Sequence, residues 1–443
     1  MIPRDRFVDK LLPWLLLGGN LLCAVALELA HDEAYYWLYA RHLDWGFFDH
    51  PPLVGLMIAA TSWVPGELGV RLGFVLATQG IAWALARALP RERRWQVWLS
   101  FHAFPLLAFA GVFALPDGAF VVAAFLWLLA LRRSLGADTV PSALLVGGAS
   151  ALLLYAKYHG VLLIAGALVA VPGLLRWRTF WLATLVGLAL FLPHLLWQYQ
   201  HDFVSLRFHF FQRPTVSPGW RQPVQYLALQ LVFAGGFAGP LLWSEILRLR
   251  ASSEFEKVLR GTVFFALVFF ALSTLNKKLE ANWLIVMAPP MVMLLTSRPY
   301  LLGAWVRRLA LLSASVTFVA RLVMVAPLEW HGLKRGREVA GWRAWAQRVE
   351  ELSADCHLVA NTYQVASKLS FYLRREVPAL NVRSRANQFD LWQFQKTIPE
   401  GPVCWVTKDR RRFQGEPVRS PDGKELILVK GLTLADILKH RTE

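Results

Sequence analysis

Apolar residues run along most of the chain in stretches of about twenty, the length at which ~1.5 Å of rise per residue crosses ~30 Å of hydrocarbon. Such windows fall near residues 11–29, 70–89, 95–115, 118–131, 143–156, 159–175, 179–198, 224–247, 260–275, 283–297 and 303–326. The pattern predicts about eleven membrane-spanning helices, an α-helical polytopic membrane protein. Between the first two windows lies a long outer segment, 30–69. Its stretch 33–45 carries Tyr35, Tyr36, Trp37, Tyr39 and Trp45 and reads as an interfacial helix with Asp32 and Glu33 at its start. Beyond the last window the period changes. Short β runs are predicted at 357–361, 403–407 and 426–430, with helices at 362–374 and 433–440. This divides the chain into a membrane domain, 1–327, and a small soluble α/β domain, 328–443.

Composition agrees: 56% of residues are apolar and 17% charged, which excludes a disordered chain, a collagen and a disulfide scaffold. The net charge of +17 suggests a nucleic-acid partner only until the cations are sorted by side. Arg4, Arg6 and Lys10 precede the first window with no cleavage pattern after it, so the N-terminus is expected in the cytoplasm. Alternation then puts most loop cations, among them Arg93, Arg94, Arg132, Arg133, Arg176, Arg298 and Arg307, on the inner side. An odd number of spans places 328–443 outside, which in a bacterium is the periplasmic face of the inner membrane. Of three cysteines, Cys23 lies in the first window, while Cys356 and Cys404 start predicted strands on the oxidising side, where one disulfide is an option. No metal-ligand spacing and no Gly-rich phosphate loop occurs.

Candidate chemistry gathers on the outer face. The acids are Asp32 and Glu33, Asp49 in Phe48-Asp49-His50-Pro51-Pro52, and Asp117 in Leu115-Pro116-Asp117-Gly118. Taken singly, an N-cap or a tight turn explains Asp32 and Asp117; several carboxylates on one face favour a site. Cations and polar partners on the same side are His50, Lys157 and Tyr158, His201, Arg207, Lys277 and Lys278. Any of these cations could simply snorkel, but Lys157 sits between two apolar windows with almost no loop around it. Carboxylates and cations at a membrane surface suit transfer of a group from a lipid phosphate to a hydroxyl. A carboxylate takes the proton of the incoming hydroxyl, and cations stabilise a phosphate that departs as an anion. Direct attack inverts the anomeric centre. Two readings of other classes stand beside this one: a flippase or transporter of lipid-linked sugars, and a membrane scaffold presenting the C-terminal domain.

The motifs Asp32-Glu33-Ala34-Tyr35-Tyr36-Trp37, Phe48-Asp49-His50-Pro51-Pro52, Pro116-Asp117, Lys157-Tyr158, Leu192-Pro193 through Trp197 with His201-Asp202, and Asn387-Gln388-Phe389-Asp390-Leu391-Trp392 resemble glycosyltransferase family 39. This is the polyprenyl-phosphate-sugar-dependent group related to protein mannosyltransferases and the lipid A aminoarabinose transferase. The resemblance implies the GT-C membrane fold, an undecaprenyl-type phosphate-sugar donor, a glycan, lipid or protein acceptor, and catalysis on the outer face. It implies Asp32 as base and Asp117 as a second essential acid. Glu33 would orient the acceptor or base, while His50, Lys157 and Arg207, with Lys277 and Lys278, would hold the donor phosphate. Where family members often carry another basic residue before the proline, this chain has His50, and an unperturbed imidazole is mostly neutral at pH 7. Some relatives bind a divalent metal nearby; no residues of this chain are assigned to one.

Overall fold

The computed structural model describes residues 10–212, 219–278, 280–298, 301, 303–325 and 336–440. Arg4, Arg6 and the expected domain boundary at 327/328 lie outside these. The membrane part runs through α1 (Leu12–Ala26), α2 (His31–Arg41), α3 (Leu53–Ala59), α4 (Gly66–Arg87), α5 (Trp95–Ala103), α6 (Pro105–Ala110), α7 (Pro116–Gly136), α8 (Val140–Ala156), α9 (Gly160–Ala170), α10 (Arg178–Gln200), α11 (Val204–Arg207), α12 (Arg221–Phe233), α13 (Gly239–Arg248), α14 (Glu254–Ser273), α15 (Ala288–Ser297) and α16 (Ala304–Val325). It is a multi-pass membrane protein. Each apolar window coincides with a helix or a broken helix pair. Among the described residues, α4, α7, α10 and α16 are long and apolar enough to cross a bilayer alone. Two bent pairs raise the number to six: α1 with α2, bent by 86°, and Arg221–Phe233 with Gly236–Arg248, bent by 115°.

The breaks have local causes. Pro105 has no N–H to continue the ladder of α5, so the window 95–115 is split there. Gly235 and Gly236 take φ of 105° and 60°, a turn that side chains with a Cβ rarely adopt, and Gly236 lies against Ser313 of α16. The 86° turn between α1 and α2 takes the aromatic segment off the axis of α1.

One charge pair fixes that turn. Arg71 of α4 and Glu33 of α2 are both fully buried, and the guanidinium donates to the carboxylate at 2.7 and 2.6 Å. Its remaining N–H groups reach the carbonyls of Ala24, Leu27 and Glu28, the unpaired end of α1. Glu33 in turn accepts the N–H groups of Ala30 and Ala114. Four segments are thereby tied at one point, and one of them leads directly to Pro116-Asp117.

The C-terminal region contains α17 (Trp342–Leu352), β1 (His357–Ala360), α18 (Tyr363–Leu373), α19 (Gln388–Trp392), β2 (Val403–Thr407), β3 (Glu416–Pro417), β4 (Ile427–Leu432) and α20 (Leu434–Lys439). Its mixed sheet has the order β1-β2-β4-β3, with β1 and β2 parallel and the other pairs antiparallel. Every residue of β2 is buried, as a central strand covered on both faces must be. Cys356 and Cys404 form a disulfide, with Cα atoms 5.5 Å apart, tying the start of β1 to β2. Closing a loop of this length stabilises by about 4 kcal/mol in the chain-entropy account. Cys404→Ser is expected to lower the thermal midpoint of this region, measured by hydrogen exchange of the β2 amides; unchanged protection would contradict it.

Helix ends sort by side. The C-terminal region packs against α2: α18 meets it through Trp37 on Phe371, ring centroids 5.2 Å apart. At the opposite end of the bundle Arg93 donates to the Thr296 carbonyl, Arg298 pairs with Glu256, and Arg307 stacks on Trp95. Arg93, Arg298 and Arg307 are cations expected in inner loops.

Candidate active site

A cavity of about 420 Å³ lies where the helix ends meet the C-terminal region. Asp32, in the first turn of α2, opens onto it. The Tyr363 hydroxyl donates to Asp32 Oδ1 at 3.2 Å. The carboxylate is reached by solvent through the cavity but crowded by protein on its other sides. Burial pushes its pKa up to about 6, with Glu338 and Asp49 adding to the rise and Tyr363 and Arg385 opposing it. A carboxylate so placed is still ionised at neutral pH and is a stronger base than an ordinary one.

Asp117 lines the same cavity from the first turn of α7, where Pro116 at the helix start holds the chain in its entry conformation. Its Oδ1 accepts from Lys157 Nζ at 2.8 Å and its Oδ2 from the Asn282 amide at 3.2 Å. Lys157 follows the last residue of α8 and is only 3% exposed. Asp117 supplies the counter-charge that so buried an ammonium requires.

The third acid, Asp49, is 5% exposed and held on both oxygens. Tyr35 donates at 2.7 Å and Tyr39 at 3.4 Å to Oδ2, while Arg385 donates at 3.1 Å to Oδ1. His50 lines the cavity beside it, as do Tyr158 and Lys277. Tyr158 is fixed by His194 at 3.0 Å and Gln198 at 2.8 Å from α10. The same helix braces the loop before Asp49: His194 bonds the Trp45 carbonyl, and Gly46 lies against the Trp197 ring with no room for a Cβ. This is what the Leu192-to-Trp197 motif does in three dimensions.

Of the residues singled out from sequence, Asp32, Asp49, His50, Asp117, Lys157, Tyr158 and Lys277 converge on the cavity. Four do not line it. Glu33 points the other way, into its pair with Arg71. His201 stacks on Trp197 with ring centroids 4.1 Å apart, and Arg207 and Lys278 are exposed away from the cavity. Among the other lining residues are Tyr363, Arg385 and Asn282, which the sequence did not single out, and His209. His209 bonds the Asp49 carbonyl at 2.8 Å, and Lys277 approaches the His209 carbonyl at 3.4 Å.

Apolar side chains form another part of the wall. Val161 and Leu162 come from α9, Phe269 and Phe270 from α14, and Val161 and Phe269 are exposed on the outside of the bundle as well. Among the described residues no three His, Cys, Asp or Glu side chains gather closely enough to hold a metal ion.

Comparison with solved structures decides the fold. The crystal structure of ArnT from Cupriavidus metallidurans in the apo state superposes over 96% of this chain and 98% of its own, with a TM-score of 0.67 at 15% identity. The chain has the ArnT fold. A second crystal structure of ArnT from the same organism, bound to undecaprenyl phosphate, matches over 95% of this chain and 97% of its own with a TM-score of 0.66. The GT-C expectation is met at the level of fold, and the agreement with ArnT includes the C-terminal region. Among curated proteins, the lipid A galacturonosyltransferase RgtD of Rhizobium johnstonii is 26% identical over 283 residues. That match spans 58% of this chain and 58% of the relative's own length. No family model matches the chain.

Proposed function

We propose that this chain is a membrane glycosyltransferase that moves a sugar from a polyprenyl phosphate of the undecaprenyl type to a hydroxyl of a lipid A-like glycolipid. The observation that carries this reading is the cavity itself: an acid with its pKa near 6, the Asp117–Lys157 pair, Lys277 and His50 stand in one chamber whose wall includes apolar side chains of α9 and α14. The ArnT structure bound to undecaprenyl phosphate and the likeness to RgtD support the donor and the acceptor class respectively.

In this reading the isoprenoid lies along Val161 and Phe269 while its phosphate meets the cavity's cations. Asp32 accepts the acceptor hydroxyl's proton as that oxygen attacks the anomeric carbon. The new C–O bond forms as the bond from that carbon to the phosphate oxygen breaks, and the electron pair leaves on the lipid phosphate. Because that leaving group is already a stable anion, no general acid is needed. Attack from the face opposite the phosphate inverts the anomeric configuration.

Glu33, which does not reach the cavity, acts by positioning Asp32 and the loop before Asp117. The membrane domain 1–327 provides the chamber, with 328–443 as its cap. The excess of cations at the end of the bundle away from the cavity supports a cytoplasmic N-terminus and a periplasmic site, since positive loops stay inside.

The test is to incubate detergent-purified protein with a polyprenyl-phosphate sugar and a lipid A acceptor, without any ion gradient. Release of polyprenyl phosphate with an inverted glycosidic linkage, read by mass spectrometry and NMR, is expected. Donor left intact in detergent, together with its movement across vesicles, would favour the transporter reading instead.

A further inference from the structure

The C-terminal region does more than cover the cavity. Tyr363 begins α18 and its ring lies 4.7 Å from that of Tyr35 on α2, which brings the Tyr363 hydroxyl to Asp32. Arg385 comes from a loop held in an unusual shape. Asn381 and Arg383 adopt positive φ, and the side chains of Asn361, Asn387 and Asp390 satisfy the loop's amides and carbonyls. The loop is then fastened to the membrane part. The Gln388 N–H donates to Tyr35 Oη at 2.8 Å, the Phe48 N–H donates to Gln388 Oε1 at 2.7 Å, and Arg385 pairs with Asp49 while stacking on Phe208 and Tyr363.

From this geometry we infer that Tyr363 and Arg385 are positioning residues of the reaction centre: Tyr363 fixes the Asp32 carboxylate directly, and Arg385 acts through the Tyr363 ring on which it stacks. The inference rests on the transferase reading above and deepens it, because it makes the base a composite of two regions of the chain. A cap with no part in the chemistry would need neither contact. Tyr363 is placed to hold one carboxylate oxygen and leave the other for the incoming hydroxyl. Arg385 is half-exposed on the cavity side, so its charge stabilises the ionised form of Asp32 from nearby.

The charged and titratable groups facing Asp32 are Glu338, Asp49, Tyr36, Tyr363 and Arg385. Glu338 and Asp49 raise its pKa, and Tyr363 and Arg385 lower it. Removing either of the last two therefore shifts the Asp32 titration upward. Tyr363→Phe removes a single hydroxyl and keeps the ring that packs on Tyr35; Arg385→Gln removes the charge. For both, the acidic limb of the kcat/KM profile is expected to move up by about one pH unit, the order that one hydrogen bond to a charged group supports. Activity should recover toward the wild-type value above that limb, with donor KM little changed. His50 is kept in every variant.

The profile is measured on full-length protein in detergent from about pH 5 to 9, with Lys430→Ala, an exposed residue of β4, as the unaffected control. Wild-type profiles in both variants, or an equal loss at every pH with the limb unmoved, would overturn the positioning role. Absence of transfer by the wild type at all pH values would overturn the transferase reading instead, so the two failures are distinguishable. Should Arg385→Gln not accumulate, Tyr363→Phe alone decides.

Discussion

Asp32→Asn is expected to lower kcat/KM by about 10² to 10⁴, the range by which a positioned general base contributes. The amide keeps the shape of the side chain and can still accept from Tyr363 through its carbonyl oxygen, so donor binding should stay within a few-fold of wild type. Stability should move the other way. The folded pKa of about 6 lies above the ordinary 3.8 of an aspartate, so the folded state holds its proton longer than the unfolded chain. Stability contributed at this position is therefore lost as pH rises through the interval between those values, and at neutral pH the ionised group opposes folding. Replacing it by a neutral amide is expected to raise the thermal midpoint at pH 7 while turnover falls. A group that costs stability and gains activity is what a reaction centre predicts. Joint loss of activity and stability would instead assign Asp32 a structural role.

The second large effect is structural. Arg71→Met strands the fully buried Glu33 carboxylate and leaves the carbonyls of Ala24, Leu27 and Glu28 without their donor. Removing one partner of a buried ion pair destabilises by about 3–5 kcal/mol, a loss that lowers the melting temperature in detergent by many degrees or prevents accumulation. Arg71→Lys separates charge from geometry: the ammonium keeps the charge but cannot reach both carboxylate oxygens and three carbonyls at once. It should fall between wild type and Arg71→Met. A midpoint for Arg71→Met within a degree of wild type would show that the pair does not hold the α1–α2 turn.

Glu33 also shows where sequence reading stops. It adjoins Asp32, and both looked like parts of one acidic site. On a helix of 3.6 residues per turn, neighbours point about 100° apart, so the cavity receives Asp32 and the bundle receives Glu33. Lys277 and Lys278, beyond the end of α14, also divide, one lining the cavity and the other exposed. Asp32, Asp117 and Lys157 were legible because charge at the edge of a long apolar run has few structural uses. The membrane helices and most strands of the C-terminal sheet were legible for a similar reason, since period and run length leave few other folds open.

Arg385 and Tyr363 were not legible. They reach the site from more than 300 residues away along the chain, and an arginine in a polar loop of a basic chain carries no local mark of burial or pairing. The one available signal was the stretch from Asn387 to Trp392, already noted as family-like, which begins two residues after Arg385. Arg71 was hidden at the edge of an apolar window, where an arginine reads as an interfacial anchor. Bends were equally obscure. The apolar run near 224–247 has the length of a single crossing, and only the adjacent glycines Gly235 and Gly236 hint at its 115° turn.

The most direct measurement is a cryo-EM structure of the Asp32→Asn variant with an intact polyprenyl-phosphate sugar. The phosphate is predicted inside the cavity against its cations, with the isoprenoid leaving along Val161 and Phe269 and residue 32 facing the anomeric carbon from the side opposite the phosphate. A phosphate bound outside this cavity, or residue 32 on the same face of the sugar as the phosphate, would contradict the mechanism.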